Sequence, residues 1–224
     1  LGDGLLGKEL VKQTGWDYIS RKKDMMDLKD IVYFIKDVER YDVIINCIGH
    51  TDTYDENKEI HWDVNYKFVS DLVSACSDKK LVHISTDYIY SNSKSNVSEN
   101  DVPVHCENWY GYTKLLGDAH VQLKSKDYLL IRCSHKPEPF PYEKAFINQS
   151  GNFDYVSVIS NLIIKLIEKG LDGIYNVGTE LKTMYDLAKL TKNDVEPTEE
   201  LFNKTMPKNI SMNLDKLKDL ENDR

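Results

Sequence analysis

The sequence predicts an α/β fold, a doubly wound parallel sheet, and three observations carry that expectation. Short apolar runs of strand length alternate along the chain with segments of helical periodicity. The chain opens on a glycine-rich turn, Gly2-x-Gly4-x-x-Gly7, that runs straight into a helical pattern through Leu10 and Val11. Polar residues able to do chemistry, Thr86 above all, stand where apolar runs end. That carboxyl edge is where open α/β sheets take their ligands.

The glycines come first. Their spacing allows a tight turn and a close approach of backbone to a pyrophosphate, which would sit on the amides that begin the helix at Leu5 and Leu6. Such a loop is normally held at a strand end, so an apolar strand upstream of Leu1 is expected. Trp16 to Ser20 reads as the next strand, followed at once by Arg21-Lys22-Lys23. An acid at that position would hold the ribose 2′-hydroxyl of NADH, whereas basic residues suit the 2′-phosphate of NADPH. The sequence therefore favours NADPH, with NADH as the alternative.

Ile31 to Val38 is helical in pattern, and Val43 to Ile48 is an apolar run fit for a buried parallel strand. Its continuation, Gly49-His50-Thr51, offers a close approach at Gly49 and a hydroxyl at Thr51, while His50 reads as a packing or positioning residue. Trp62 to Ala75 is an amphipathic helix carrying Asn65. Leu81 to Ile84 is the next strand, breaking into Ser85-Thr86-Asp87-Tyr88. After a polar loop, Asn108 to Leu123 forms a helix on which Tyr110 and Lys114, four residues apart, share one face. A nearby ammonium favours the phenolate, bringing tyrosine from about 10 towards a useful acid/base range.

Tyr128 to Arg132 is a further strand. Pro137, Pro139 and Pro141 then force an extended path. A helix over Val156 to Ile167, a strand over Gly173 to Val177 and a helix over Met184 to Leu190 complete the alternation.

Composition narrows the partners. The formal net charge of −8 argues against a nucleic-acid or anionic-membrane binder. No apolar run approaches the roughly 20 residues that span a bilayer. Cys47, Cys76, Cys106 and Cys133 are scattered without metal-ligand spacing, which fits reduced thiols in a cytoplasmic protein.

The segments ISTDYIY and YGYTKLLGD, with Glu99, Asp101 and Pro103 between them, resemble the extended short-chain dehydrogenase/reductases. More narrowly they are similar to the dTDP-4-dehydrorhamnose reductase branch, which has STDYVF followed by YGxSKLxGE. The resemblance continues through DVIINCIGHTD, WDVNYKFVSDLVSAC and LLIRCS, and more weakly in GIYNVG. It implies a Rossmann-like NAD(P)-binding domain over residues 1–132. Residues 133–224 would form a short substrate-binding lobe interleaved with the last sheet strand and helices.

The resemblance also implies roles. Thr86, Tyr110 and Lys114 would be catalytic, with Tyr110 as proton donor. Gly2, Gly4, Leu5, Leu6, Gly7, Arg21, Asp27, Ile48, Gly49 and Thr51 would surround the cofactor together with Tyr110 and Lys114. Asp87, Tyr88 and His135 would meet a nucleotide-linked 4-keto-6-deoxy sugar, and Asn65 would help the site's geometry. Glu9 matches a glutamate that the family uses at a magnesium-bridged homodimer contact; otherwise no metal site is expected. Two departures matter. Leu1 stands where the family has its first loop glycine, and His135 stands in place of a tryptophan, ahead of an abbreviated substrate lobe. The alternatives are a non-catalytic NADP-binding regulatory subunit and a nucleotide-sugar epimerase.

Overall fold

Four apolar runs build the centre of the molecule. A computed structural model describes residues 1–91, 93–101, 107–200 and 205–222. In it the strands β1 (Val43–Asn46), β2 (Lys80–Thr86), β3 (Tyr128–Cys133) and β4 (Gly173–Val177) form one parallel sheet in that order. The register sets Ile45 beside Val82, Val82 beside Leu129, and Leu129 beside Gly173.

Eight helices accompany the sheet among the described residues: α1 (Leu5–Thr14), α2 (Leu28–Asp37), α3 (Lys58–Trp62), α4 (Phe68–Ala75), α5 (Trp109–Lys124), α6 (Val156–Glu168), α7 (Met184–Lys189) and α8 (Asp215–Asn222). Side-chain alternation distributes them over two faces. Val82, Ile84, Leu129 and Ile131 pack on Leu6 and Leu10 of α1 and Ile159 and Ile163 of α6. Their neighbours Leu81 and Leu130 point the other way, onto Ile31 and Ile35 of α2, Val69 and Leu72 of α4 and Val121 of α5. The predicted doubly wound sheet is therefore present. Leu129, Leu130 and Ile131 are wholly buried because both faces are covered. Each such side chain contributes roughly 1.5–3 kcal/mol.

The helices start on named caps. Asp27 caps α2 in a reciprocal box with Asp30, so this helix begins three residues before the expected Ile31. Asn108 caps α5 by accepting from the Gly111 amide at 2.8 Å. The expected helix over Trp62 to Ala75 is longer and interrupted. It begins with α3, passes through a π-helical turn over Asp63–Lys67, and resumes as α4. Gly117 of α5 lies against that turn; a Cβ there would meet the Asn65 carbonyl oxygen at 2.6 Å.

Trp16 to Ser20 is not a strand. It lies beside the start of the chain, where Gly2 N donates to Ile19 O at 2.9 Å. The chain turns away at Gly2 (φ 96°), which ends the ladder after one bond. Leu1 behaves differently, donating to Ile45 O and accepting from Cys47 N.

Beyond β3 the chain makes only short pairs. His135–Lys136 pairs with Asp154–Tyr155, Lys144–Phe146 with Glu196–Thr198, and Ser150–Gly151 with both Asn209–Ile210 and Lys182–Thr183. Phe140, Phe153, Tyr155 and Leu187 form a separate small core there. Cys106 and Pro103 lie outside the described residues. No described helix is long and apolar enough to cross a membrane.

Candidate active site

The carboxyl ends of β1, β2 and β3 open onto a cavity of about 880 Å³. One end is made by Gly4, Leu5 and Leu6 at the start of α1, with Ile48, Gly49 and Thr51 after β1. No side chain caps the α1 N-terminus, so its first amides are free to bind an anion. Gly7 explains why the turn is so tight. A Cβ there would lie 2.2 Å from the Gly2 carbonyl oxygen, closer than any real contact. These residues fit the pyrophosphate of a dinucleotide.

The other end carries Thr86, Tyr88, Tyr110, Lys114 and His135, together with Lys136 and residues from the small C-terminal pairs. Thr86 ends β2, and its hydroxyl accepts from the Tyr88 amide at 3.2 Å. That hydroxyl is also a hydrogen-bonding neighbour of the Tyr110 phenol. Tyr88 packs edge-on against Tyr110, ring centres 5.8 Å apart. The fold thus gathers the three residues expected to be catalytic on one wall.

The electrostatics depart from expectation. The Lys114 ammonium donates to the Ile84 carbonyl at 2.7 Å, and burial lowers its pKa. Burial pushes the Tyr110 phenol well up, and the Thr86 hydroxyl only partly opposes this. The four-residue spacing promised a phenol drawn down by its ammonium. Here the amine is aimed at the strand backbone and desolvation of the ring outweighs every other influence. Tyr110 is accordingly held protonated.

A polar network beneath α5 fixes this wall. Arg132 donates from Nε to Asp118 Oδ2 at 3.3 Å and from Nη1 to the Tyr90 hydroxyl at 2.5 Å, and Tyr90 donates to Asn176 Oδ1 at 3.0 Å. These buried partners tie α5 to β3 and β4. The Asn65 amide does the same for the loop after β1, accepting from His50 N at 2.8 Å and donating to His50 O at 3.1 Å.

Several expected residues stand away from the cavity. Gly2 and Gly7 shape the turn but do not line it. Arg21 is exposed, and the Asp27 carboxylate is engaged by the Asp30 amide at 2.9 Å. Asp87 is fully buried behind Thr86, with Oδ2 lacking a hydrogen-bond partner. Burial pushes its carboxyl up to about 7 against the pull of Lys136. Asp87 is not among the residues that line the cavity.

His135 does line the cavity, and burial lowers its imidazole to about 4, leaving it neutral. The sequence reading missed Lys136, a half-buried amine beside it whose pKa burial lowers while Asp87 raises it. It also missed Tyr54, whose hydroxyl lies 3.1 Å from that of Tyr88. Glu9 is occupied within its own helix by Lys12 at 3.1 Å and Gln13 at 2.9 Å. Among the described residues Glu9 joins no group of three metal-ligating side chains.

Residues 2–136, more than half of the chain, match the family model described as RmlD substrate binding domain. This chain belongs to that family. It is 30% identical over 142 residues to the spore coat polysaccharide biosynthesis protein SpsK of Bacillus subtilis, covering 58% of this chain and 50% of that one. It is 30% identical over 140 residues to the dTDP-4-dehydrorhamnose reductase of Mycolicibacterium smegmatis, covering 58% and 42%. The chain thus spans about half the length of these curated relatives.

Among solved structures it is similar to a hypothetical dTDP-4-dehydrorhamnose reductase from Sulfolobus tokodaii. The TM-score is 0.80 at 26% identity, over 97% of this chain and 91% of that one. A Bacillus anthracis dTDP-4-dehydrorhamnose reductase in complex with NADP shares the fold, with a TM-score of 0.79 at 22% identity over 96% and 89%.

Proposed function

We propose that this chain is an NADPH-dependent reductase of a nucleotide-linked 4-keto-6-deoxy sugar. One observation carries the reading: a single cavity has a free helix N-terminus in a glycine turn at one end and Thr86, Tyr110 and Lys114 on the opposite wall. The names of the relatives agree with it, and the exposed Arg21-Lys22-Lys23 turn is the feature that favours NADPH over NADH.

When bound, the reduced nicotinamide supplies the hydride. The chain's own residues supply the rest. Tyr110, held protonated by burial, hands its phenolic proton to the carbonyl oxygen, and the Thr86 hydroxyl orients that oxygen. Lys114, on the same wall, binds the nicotinamide ribose. Tyr88 and His135 meet the sugar, and the neutral imidazole of His135 has an unpartnered Nδ1 to offer. A phenol that stays protonated is suited to giving a proton, which is the direction that reduction requires.

The test is consumption of NADPH by the purified chain with a panel of nucleotide-linked 4-keto-6-deoxy sugars. Turnover with at least one of them is expected. Tight NADPH binding without turnover of any would favour a non-catalytic cofactor-binding subunit instead.

A further inference from the structure

The connection between β1 and α3 gathers three metal-ligating side chains outside the catalytic wall. His50 follows Gly49, Asp55 lies five residues on, and His61 is carried by α3. A ligand atom from each lies within 4.8 Å of the other two, and no other such trio exists among the described residues. His50 Nε2 is 2.9 Å from Asp55 Oδ2, and the two imidazole rings meet edge to face with centres 4.6 Å apart.

The supporting bonds are already in place. Asn65 clamps both backbone groups of His50. The Asn57 amide donates to Asp55 Oδ1 at 2.9 Å, leaving Oδ2 to the cluster. His61 is wholly buried, and its Nε2 lies 2.8 Å from the Asp55 carbonyl oxygen. A carbonyl only accepts, so Nε2 carries the proton and Nδ1 keeps its lone pair. That Nδ1 is buried with no hydrogen-bond partner. A histidine serving as a ligand has this arrangement, with one nitrogen donating to a carbonyl and the other free for the ion.

We propose that His50, Asp55 and His61 form a binding site for a divalent transition-metal ion, with zinc the best match. Two imidazoles and one carboxylate are a donor set that zinc accepts, and three protein ligands leave a fourth position for water. Binding shifts the His50 proton from Nε2 to Nδ1 and turns Asp55 Oδ2 from hydrogen-bond acceptor into ligand. Magnesium, which demands oxygen donors, is a poor match. The ion acts as a clasp. Asp55 adjoins Tyr54, which touches Tyr88 across the cavity. Occupancy therefore fastens the loop that walls the site, independently of the reaction catalysed there.

Zinc titration of the full chain by calorimetry in chelator-free buffer, with metal analysis of the purified protein, tests the site. Asp55→Asn and His50→Gln change partly exposed residues, and circular dichroism confirms that each variant folds. The expected result is one zinc ion per chain, raising the parent's melting temperature. Each variant should weaken binding by more than the roughly 10–100-fold that loss of a ligand's outer partner costs. Magnesium should not compete at equal concentration. No zinc binding by the parent, or equal affinity in the two folded variants, overturns the proposal.

Discussion

The two ends of the cavity are built from different materials. At the glycine end the working groups are backbone amides at the start of α1, and the side chains that matter are the ones glycine lacks. At the tyrosine end the working groups are side chains, several buried and titratable, from segments far apart in sequence. The first end rests on backbone amides and, at Gly7, has no room for a methyl group. The second depends on which of its buried groups are protonated.

The largest effect is expected at the tyrosine end. Tyr110→Phe keeps the ring's packing and removes the proton, so turnover should fall by ~10²–10⁴ while NADPH affinity stays close to that of the parent. Lys114→Ala should damage both turnover and NADPH affinity. Steady-state rates and fluorescence titration of the cofactor separate the two outcomes. Unchanged turnover in Tyr110→Phe would place the acid elsewhere.

Asp87 comes next, through stability. Its folded pKa of about 7 lies above its ordinary value of 3.8 because burial opposes the charge. The folded state therefore holds this proton more tightly than the unfolded state does. Its stabilising contribution is fully present below pH 3.8 and is lost as pH rises through about 7. Asp87→Asn cannot lose a proton, so denaturant unfolding between pH 4 and 8 should be flatter in the variant. The difference between parent and variant slopes, integrated over that window, is on the order of a few kcal/mol. Parallel curves would show that Asp87 is not in the desolvated setting described here.

The glycine end is probed by a pair. Gly7→Ala drives a methyl group into the Gly2 carbonyl and should cost about 1–3 kcal/mol of stability, the scale of overpacking. Gly4 has an ordinary φ of −66° and nothing within 4 Å of a built Cβ. Gly4→Ala should leave stability within about 0.5 kcal/mol of the parent, yet weaken NADPH binding. If Gly4→Ala binds cofactor as well as the parent, the pyrophosphate does not approach this turn.

The smallest effect is expected outside the cavity. Replacing Arg21, Lys22 and Lys23 by alanine should erode the preference for NADPH over NADH by about 1 kcal/mol, the upper range for exposed charges. Parallel titrations of both cofactors check it. No preference in the parent would remove this turn from the cofactor site.

The contrast extends to what could be read in advance. The mainly apolar runs Val43 to Ile48, Leu81 to Ile84, Tyr128 to Arg132 and Gly173 to Val177 announce strands of a sheet covered on both faces. All four appear in the sheet. The Tyr110 and Lys114 spacing, a property of the helix alone, puts both on the cavity wall. Trp16 to Ser20 misled because strand character is realised only where a neighbour continues alongside, and at Gly2 the neighbour turns away.

By itself, then, the sequence determined the layered fold, the glycine turn and the residues that share the Tyr110 wall of the cavity. Each depends on local period, local conformational freedom or recognisable spacing. Tertiary structure alone decided where the charges act. The Lys114 amine goes to Ile84 O, thirty residues away in sequence. The Asp87 carboxyl is tuned by burial and by Lys136 from beyond β3. The trio of His50, Asp55 and His61 joins the loop after β1 to α3, and Asn65 of the π-helical turn holds the His50 backbone. Desolvation and long-range approach set these properties, and neither is written in any local stretch of chain.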